Sequence, residues 1–337
     1  MTELTPIDPP YTKLLDTLDD LLTQGRHDAV QKINTVLLET YWHIGKHIVE
    51  FEQQGSSKSE YGKKLSADLK TRYGKGFSRS NLQYMRLFYL KYPNRQTVSG
   101  KLSWSKYCEL LAVSDDLARS FYEKQAVREN WSVRELKRQI STSLFERIAL
   151  SKDKAGVLAL AEKGIIVDQA DDILKDPYIF EFLNFPEKLR YTEKELENQL
   201  VDKLATFLLE LGKGFAFIGQ QYRITLNNTH YYVDLVFYHY ILKCFVLIDL
   251  KRGKVDHHDI GQMNLYLNYF KHEEYTEGDK EPIGLVLAAD KDEVLVEYAL
   301  GGISNQLFVS KYQLYLPDRK LLTQELSLLL EQTENGE

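Results

Sequence analysis

The run from Tyr231 to Lys251, Tyr-Tyr-Val-Asp-Leu-Val-Phe-Tyr-His-Tyr-Ile-Leu-Lys-Cys-Phe-Val-Leu-Ile-Asp-Leu-Lys, is compatible with few structures. Its two apolar stretches have strand length, and each carries one aspartate among residues suited to burial. A turn centred between Ile241 and Leu242 would set Asp234 directly opposite Asp249. Like charges so placed destabilise a sheet. A hairpin of this register therefore asks for a counter-charge, and a hard divalent cation taking oxygen ligands is the simplest one. Strand alternation puts Leu247, Asp249 and Lys251 on one side and Val246, Ile248 and Leu250, which make core, on the other. An ammonium two residues from a carboxylate on the same face can orient or polarise a metal-bound water and stabilise charge building on a phosphate. The expected chemistry is phosphodiester hydrolysis.

Two flanking segments extend the pattern. Downstream, Gln262 and Tyr266 stand four apart on one face of a helix expected over 259–270. Upstream, Thr192-Glu-Lys-Glu195 fits a capping box. The helix it opens has the stripe Leu196, Leu200, Leu204, Phe207, Leu208 and Leu211, with Gly212 and Gly214 to end it. Glu195 is explained as the cap partner, whereas Glu197 lies at the edge of the buried face.

These residues resemble the PD-(D/E)xK nuclease superfamily, with Asp234 as the first acid and Asp249-Leu250-Lys251 as the (D/E)xK element. Gln262 and Tyr266 resemble the QxxxY signature of RecB-type nucleases, and Glu197 resembles the first-helix acid of such sites. Longer stretches resemble the bacterial YhcG family over nearly the whole chain. They include Tyr41-Trp-His-Ile-Gly45, Gly76-Phe-Ser-Arg-Ser-Asn-Leu82, Leu102-Ser-Trp-Ser105, Glu129-Asn-Trp-Ser-Val-Arg-Glu-Leu136, 210–219 and 282–300. The resemblance implies a helical DNA-binding domain joined to a nuclease domain, with DNA as partner and an association with restriction and phage-defence proteins. It further implies that Asp234, Asp249, the Leu250 carbonyl and Glu197 serve Mg²⁺ or Mn²⁺. Lys251 would position the attacking water, Gln262 would orient Lys251 or the scissile phosphate, and Tyr266 would support the site or simply pack. Asp249 departs from the glutamate of many relatives, a change that bears on metal geometry.

The expected fold is α+β. An all-α domain of helix-turn-helix or winged-helix kind occupies 1–150, a connector 151–190, and a restriction-endonuclease-like α/β domain of order αβββαβ 191–337. Helices are expected over 11–23, 28–53, 59–73, 78–91, 103–111, 115–129, 132–146 and 321–330. Strands are expected over 215–225, 231–238, 243–251, 283–288 and 307–314. A hydrophobic share of 43% excludes a mainly disordered chain. No apolar run approaches membrane-spanning length, and the first ten residues lack the plan of a signal peptide. A cytoplasmic protein with no membrane partner is expected. Cys108 and Cys244 lack metal-site or disulfide spacing, and Cys244 reads as core. Asp256-His-His-Asp259 reads as a helix-start loop rather than a metal site.

The net charge of −6 argues against nucleic acid until its distribution is seen. Residues 58–106 hold twelve basic and two acidic residues, +10 in all, which leaves −16 elsewhere. A basic block in an acidic chain is the footprint of a localised phosphate-contacting surface. Its candidates are Lys75 and the face of Arg79, Gln83 and Arg86 on a helix capped by Ser78, with Arg134 and Arg138 weaker. Arg223 and Arg252, with Lys243 and Lys254, would draw the phosphate backbone toward the acids. Two other readings stay open: a non-catalytic DNA-binding or scaffolding protein with a nuclease fold, and an RNase. A homo-oligomer is one of the assembly states the sequence admits.

Overall fold

The structure, a computed structural model, describes residues 9–53, 58–95, 98–185, 191–300 and 306–332. Pro186, expected as a break in the connector, lies outside these. Two compact units meet between Arg119 and Ser120. The first contains α1 (Pro9–Gln53), α2 (Lys58–Tyr73), α3 (Arg79–Lys91) and α4 (Trp104–Leu111), and α5 (Asp116–Arg128) begins in it. Two helices were expected across 11–53, but α1 is continuous. Gly25 there lowers helix propensity by only about 1 kcal/mol against alanine, and no proline enforces a break. Gly45 instead marks where α1 meets α3, since a Cβ there would lie 2.0 Å from the Met85 carbonyl oxygen. Ser78 caps α3 through the Asn81 N–H at 3.1 Å, and Leu82, Met85 and Phe88 are buried. Trp42 donates to the Tyr92 carbonyl at 2.7 Å, and Trp104 to the Asn81 side chain at 2.8 Å. The aromatic signatures of this half are thus packing and anchoring residues. Among its described residues this unit has no strand.

The second unit continues with α6 (Val133–Ser141), α7 (Leu144–Ala149) and α8 (Lys154–Lys163). The single helix expected over 132–146 is divided, because Ser143 adopts φ 52° and the Arg147 guanidinium takes the Thr142 carbonyl at 2.9 Å. The capping box at Ser132 and Glu135 is present. Residues of the connector contribute α8, two short 3₁₀ turns and the strand β1 (Tyr178–Ile179).

The sheet also holds β2 (Phe215–Leu226), β3 (Thr229–His239), β4 (Cys244–Lys254), β5 (Ile283–Asp290) and β6 (Leu307–Gln313), in the order β1-β6-β5-β4-β3-β2. The pairs β2/β3 and β3/β4 are antiparallel, and the other pairs parallel. Asn227 and Asn228, both at positive φ, make the two-residue turn between β2 and β3. On one face pack α9 (Glu193–Asp202) and α10 (Leu204–Leu211), and on the other α11 (His257–Glu273). The chain closes with α12 (Glu293–Leu300) before β6 and α13 (Arg319–Gln332) after it. The helix expected through 192–211 breaks at Lys203, whose ammonium donates to the carbonyls of Phe182 and Leu183 at 2.7 and 3.2 Å. Both faces of β4 are core: Val246, Ile248 and Leu250 lie toward α9 and α10, and Leu247 toward α11. This two-sided burial makes the acids near the end of β4 conspicuous.

Candidate active site

Strands β3 and β4 pair from His239 opposite Cys244 to Leu235 opposite Ile248, the register that centres the turn between Ile241 and Leu242. One more step would set Asp234 opposite Asp249, and there the ladder stops. The Leu250 N–H donates to Asp234 Oδ2 at 2.8 Å, so a side chain takes the place of the backbone bond. The neighbouring ladder is interrupted at the same level: β2 and β3 pair at Gln220/Leu235 and at Tyr222/Val233 but not between. Gln221, in that gap, has φ 48° and donates from one amide nitrogen to Glu197 Oε2 at 2.8 Å and to Asp234 Oδ1 at 3.1 Å. A positive φ on a non-glycine residue is strained, and such strain clusters at functional sites. The sequence reading missed Gln221. Its signal was the pair Gln220-Gln221, two exposed polar residues that break the alternation of β2.

Glu197 and Asp249 are nearly fully buried. The capping box places Glu195 at the helix start, bonding the Thr192 N–H at 2.6 Å, and leaves Glu197 turned into the protein. Lys251 Nζ lies 2.8 Å from Asp249 Oδ2 and 3.2 Å from Asp259 Oδ1. Asp259 is a second residue without a site role in the sequence reading. Asp256 caps α11 by accepting the N–H groups of His258 and Asp259 at 2.8 and 3.1 Å, and Asp259 Oδ2 returns the bond to the Asp256 N–H at 2.9 Å. The capping box therefore fixes the carboxylate that meets Lys251. His257 and His258 are exposed.

Burial pushes the Asp249 carboxyl up to about 7, with the Asp234 charge adding and Lys251 opposing. Burial also raises Asp234, partly offset by the Leu250 N–H. It raises Glu197 too, against the Gln221 hydrogen bond. Burial would lower Lys251, but Asp249 and then Asp259 outweigh it and hold the amine firmly protonated. Tyr266 is fully buried and donates to the Tyr232 carbonyl at 2.9 Å, two residues from Asp234. Its phenol is pushed up to about 12 by burial and by the charges of Asp249 and Asp234, and Gln262, exposed one turn earlier, hydrogen-bonds it. Thus Glu197, Asp234, Asp249 and Lys251 come together, with Tyr266 behind them.

The outlying basic candidates divide. Lys75, Arg79 and Gln83 are exposed in the first unit, as are Lys70 and Arg72 in the last turn of α2. Arg86 is instead mostly buried and paired with Glu52 at 2.7 Å. In the second unit Arg223 and Arg252 are exposed, and the Arg252 N–H is held by Glu193 at 3.0 Å. Arg138 is committed to Glu181 and Glu210 at 2.9 and 3.1 Å, an ion-pair role.

Among the described residues no three His, Cys, Asp or Glu side chains form a preformed metal cluster. The donor chemistry nevertheless fits Mg²⁺, which keeps several waters and needs only one or two carboxylates from a protein. Asp234 and Asp249 would be those carboxylates. Glu197 Oε1 is buried with no hydrogen-bond partner among the described residues, a group whose desolvation a cation or its water would offset.

Two family models match the chain: the DUF1016 N-terminal domain at residues 17–147 and the YhcG PDDEXK nuclease domain at residues 171–327. A protein of Escherichia coli (strain K12) named "Putative nuclease YhcG" is 40% identical over a 355-residue alignment that covers 94% of this chain and 93% of that protein. The chain belongs to the YhcG family. The stretch matched by the YhcG nuclease domain contains every residue of the cluster around Asp234. Among solved structures, a repair endonuclease from Pyrococcus abyssi matches at 21% identity over 39% of this chain and 50% of that chain, with a TM-score of 0.27. The structure titled "Structure of EndoMS-dsDNA2 complex" matches at 17% identity over 40% and 50%, with a TM-score of 0.26. The chain spans about half the length of these structures, and likeness at such TM-scores supports nothing about its activity.

Proposed function

We propose that this PDDEXK-family nuclease is a Mg²⁺- or Mn²⁺-dependent deoxyribonuclease whose helical N-terminal part carries it to DNA. One observation carries the reading. Two buried or partly buried acids, Asp234 and Asp249, meet where the β3/β4 ladder ends, beside a lysine held as a cation by Asp249 and Asp259. A bound divalent ion would polarise the phosphate and lower the pKa of a bound water.

The chain's own residues supply the rest. Lys251, firmly protonated, is a donor rather than a base. It holds the attacking water or stabilises charge on the phosphate. Gln221 fixes Asp234 and Glu197 relative to each other, so both acids are set before substrate arrives. Arg223 and Arg252 would attract the phosphate backbone, and Lys75, Arg79 and Gln83 would contact DNA from the first unit. With no strand among the described residues of that unit, we retain helix-turn-helix rather than winged helix for its binding mode.

A panel of linear, nicked, branched and single-stranded DNA plus RNA, with Mg²⁺, Mn²⁺ or EDTA, tests the reading for the wild type and Lys251→Ala. Metal-dependent DNA cleavage that Lys251→Ala abolishes is expected. Cleavage in EDTA, or cleavage that survives the substitution, would overturn the mechanism. Cleavage of RNA alone would make the protein an RNase, and DNA binding without turnover would make it a scaffold.

A further inference from the structure

Helix α1 packs through its second half and leaves its first half bare, every described side chain from Tyr11 to Val30 being exposed. Leu38, Trp42, Gly45 and Val49 are on the side that meets α3. At 3.6 residues per turn, the opposite side repeats Leu14, Leu15, Leu18, Leu21, Leu22 and Ile33, all between 45% and 69% exposed. Scattered apolar residues on a surface need no explanation, but a continuous stripe of roughly 28 Å marks an interaction site. Within it Leu15, Leu18, Leu22, Gly25 and Ala29 recur at alternating three- and four-residue spacing, the seam of a two-helix coiled coil.

We propose that a second copy of this chain covers the stripe, the two α1 helices packing antiparallel about a two-fold axis near Leu22. Charge selects this occupant and this direction. On the flanks of the stripe the first part carries Asp19, and the second carries Arg26 and Lys32 against Asp28. Antiparallel pairing about Leu22 brings Asp19 of each copy beside Arg26 of the other, whereas parallel pairing keeps the two about two turns apart. The face is therefore self-complementary, as an isologous two-fold contact requires. Size agrees: Leu15 and Leu18 of one copy reach Ala29 and Gly25 of the other, and a Cβ at Gly25 would meet nothing within 4 Å in the single chain. Ten large apolar side chains from Tyr11 to Leu37 are more than a third exposed on this helix. Their area is of the order of the roughly 800 Å² per partner that a stable interface removes from water.

Sedimentation of the full-length chain over a wide concentration range tests the proposal. A species of twice 39.2 kDa is expected for the wild type, and a monomer for Leu18→Glu/Leu22→Glu with helical circular dichroism and melting temperature retained. Leu22→Cys should form a disulfide with itself and Leu15→Cys should not, with linked peptides mapped to exclude Cys108 and Cys244. A wild type that stays monomeric at every concentration overturns the proposal, including one that instead floats with vesicles of anionic phospholipid. So does a Leu18→Glu/Leu22→Glu variant that dimerises like the wild type. Self-linking at Leu15→Cys in preference to Leu22→Cys overturns the antiparallel arrangement.

Discussion

Gln221 holds a backbone conformation that its side chain does nothing to favour. At φ 48° it carries strain, and its amide spans two carboxylates that would otherwise repel. Strain of this kind costs on the order of 1 kcal/mol and persists where the surroundings over-determine it. Gln221→Gly removes the strain and the amide together. We expect stability to change by no more than about 1 kcal/mol in denaturant melts, because lost strain offsets the added chain entropy of glycine. Cleavage is expected to fall about 10- to 100-fold, the usual effect of losing a group that orients a metal ligand. Unchanged turnover would reduce Gln221 to an irregularity of the strand. Sequence could point to Asp234, Asp249 and Lys251 because their spacing and strand register are local properties. Gln221 and Asp259 were not legible as site residues, since their roles depend on where β2 meets α9 and where α11 meets β4 in space.

At the scale of elements, Glu210 explains why the sequence pattern misjudged the helix expected over 132–146. Its carboxylate, fully buried at the end of α10, accepts from Arg147 of α7 at 2.9 Å, Arg138 of α6 at 3.1 Å and the Ile179 N–H of β1 at 2.9 Å. The Lys175 ammonium takes its backbone carbonyl. Arg147 also holds the Thr142 carbonyl, so the break between α6 and α7 belongs to this network. A helical period over 132–146 cannot reveal a tertiary arginine, and in the same way the stripe over 196–211 cannot reveal Lys203 bonding two distant carbonyls. Capping boxes, by contrast, are complete within four residues, and those at Ser132 and Thr192 formed where the sequence has them. Burial alone would raise the Glu210 pKa, but Arg147, Lys175 and Arg138 outweigh it and bring it down to about 2. Because the folded value is depressed, the stability Glu210 contributes is present above the ordinary value of 4.5 and is lost as pH falls toward about 2. Glu210→Ala should therefore lose about 3–5 kcal/mol near neutral pH by leaving buried cations unpaired. Its unfolding free energy should also vary less with pH below 4.5 than that of the wild type. Equal acid sensitivity in the two would assign that dependence to other carboxylates.

For the whole molecule, charge is divided between the parts in a way that fits a division of labour. The basic block over 58–106 lies in the first unit, whereas the acids of the candidate site lie in the second. The sequence shows that separation, but not which cations are spent on internal pairs. Arg86 is held by Glu52 and Arg95 by Glu39, while Lys70, Arg72, Lys75 and Arg79 remain exposed around the turn between α2 and α3. If that turn grips phosphate, neutralising it should weaken ground-state binding without touching the chemical step. Lys75→Ala/Arg79→Ala is accordingly expected to raise KM for DNA while kcat stays within experimental error. The slope of log affinity against log salt should become shallower by about 1 for each lost contact. Lys251→Ala should do the reverse, lowering kcat with the salt slope nearly intact. Steady-state kinetics and a binding series in salt on the same two variants separate the outcomes. An unchanged slope in Lys75→Ala/Arg79→Ala would remove this turn from the DNA interface, and a matching fall in kcat would show that the two units do not act as separate binding and cutting parts.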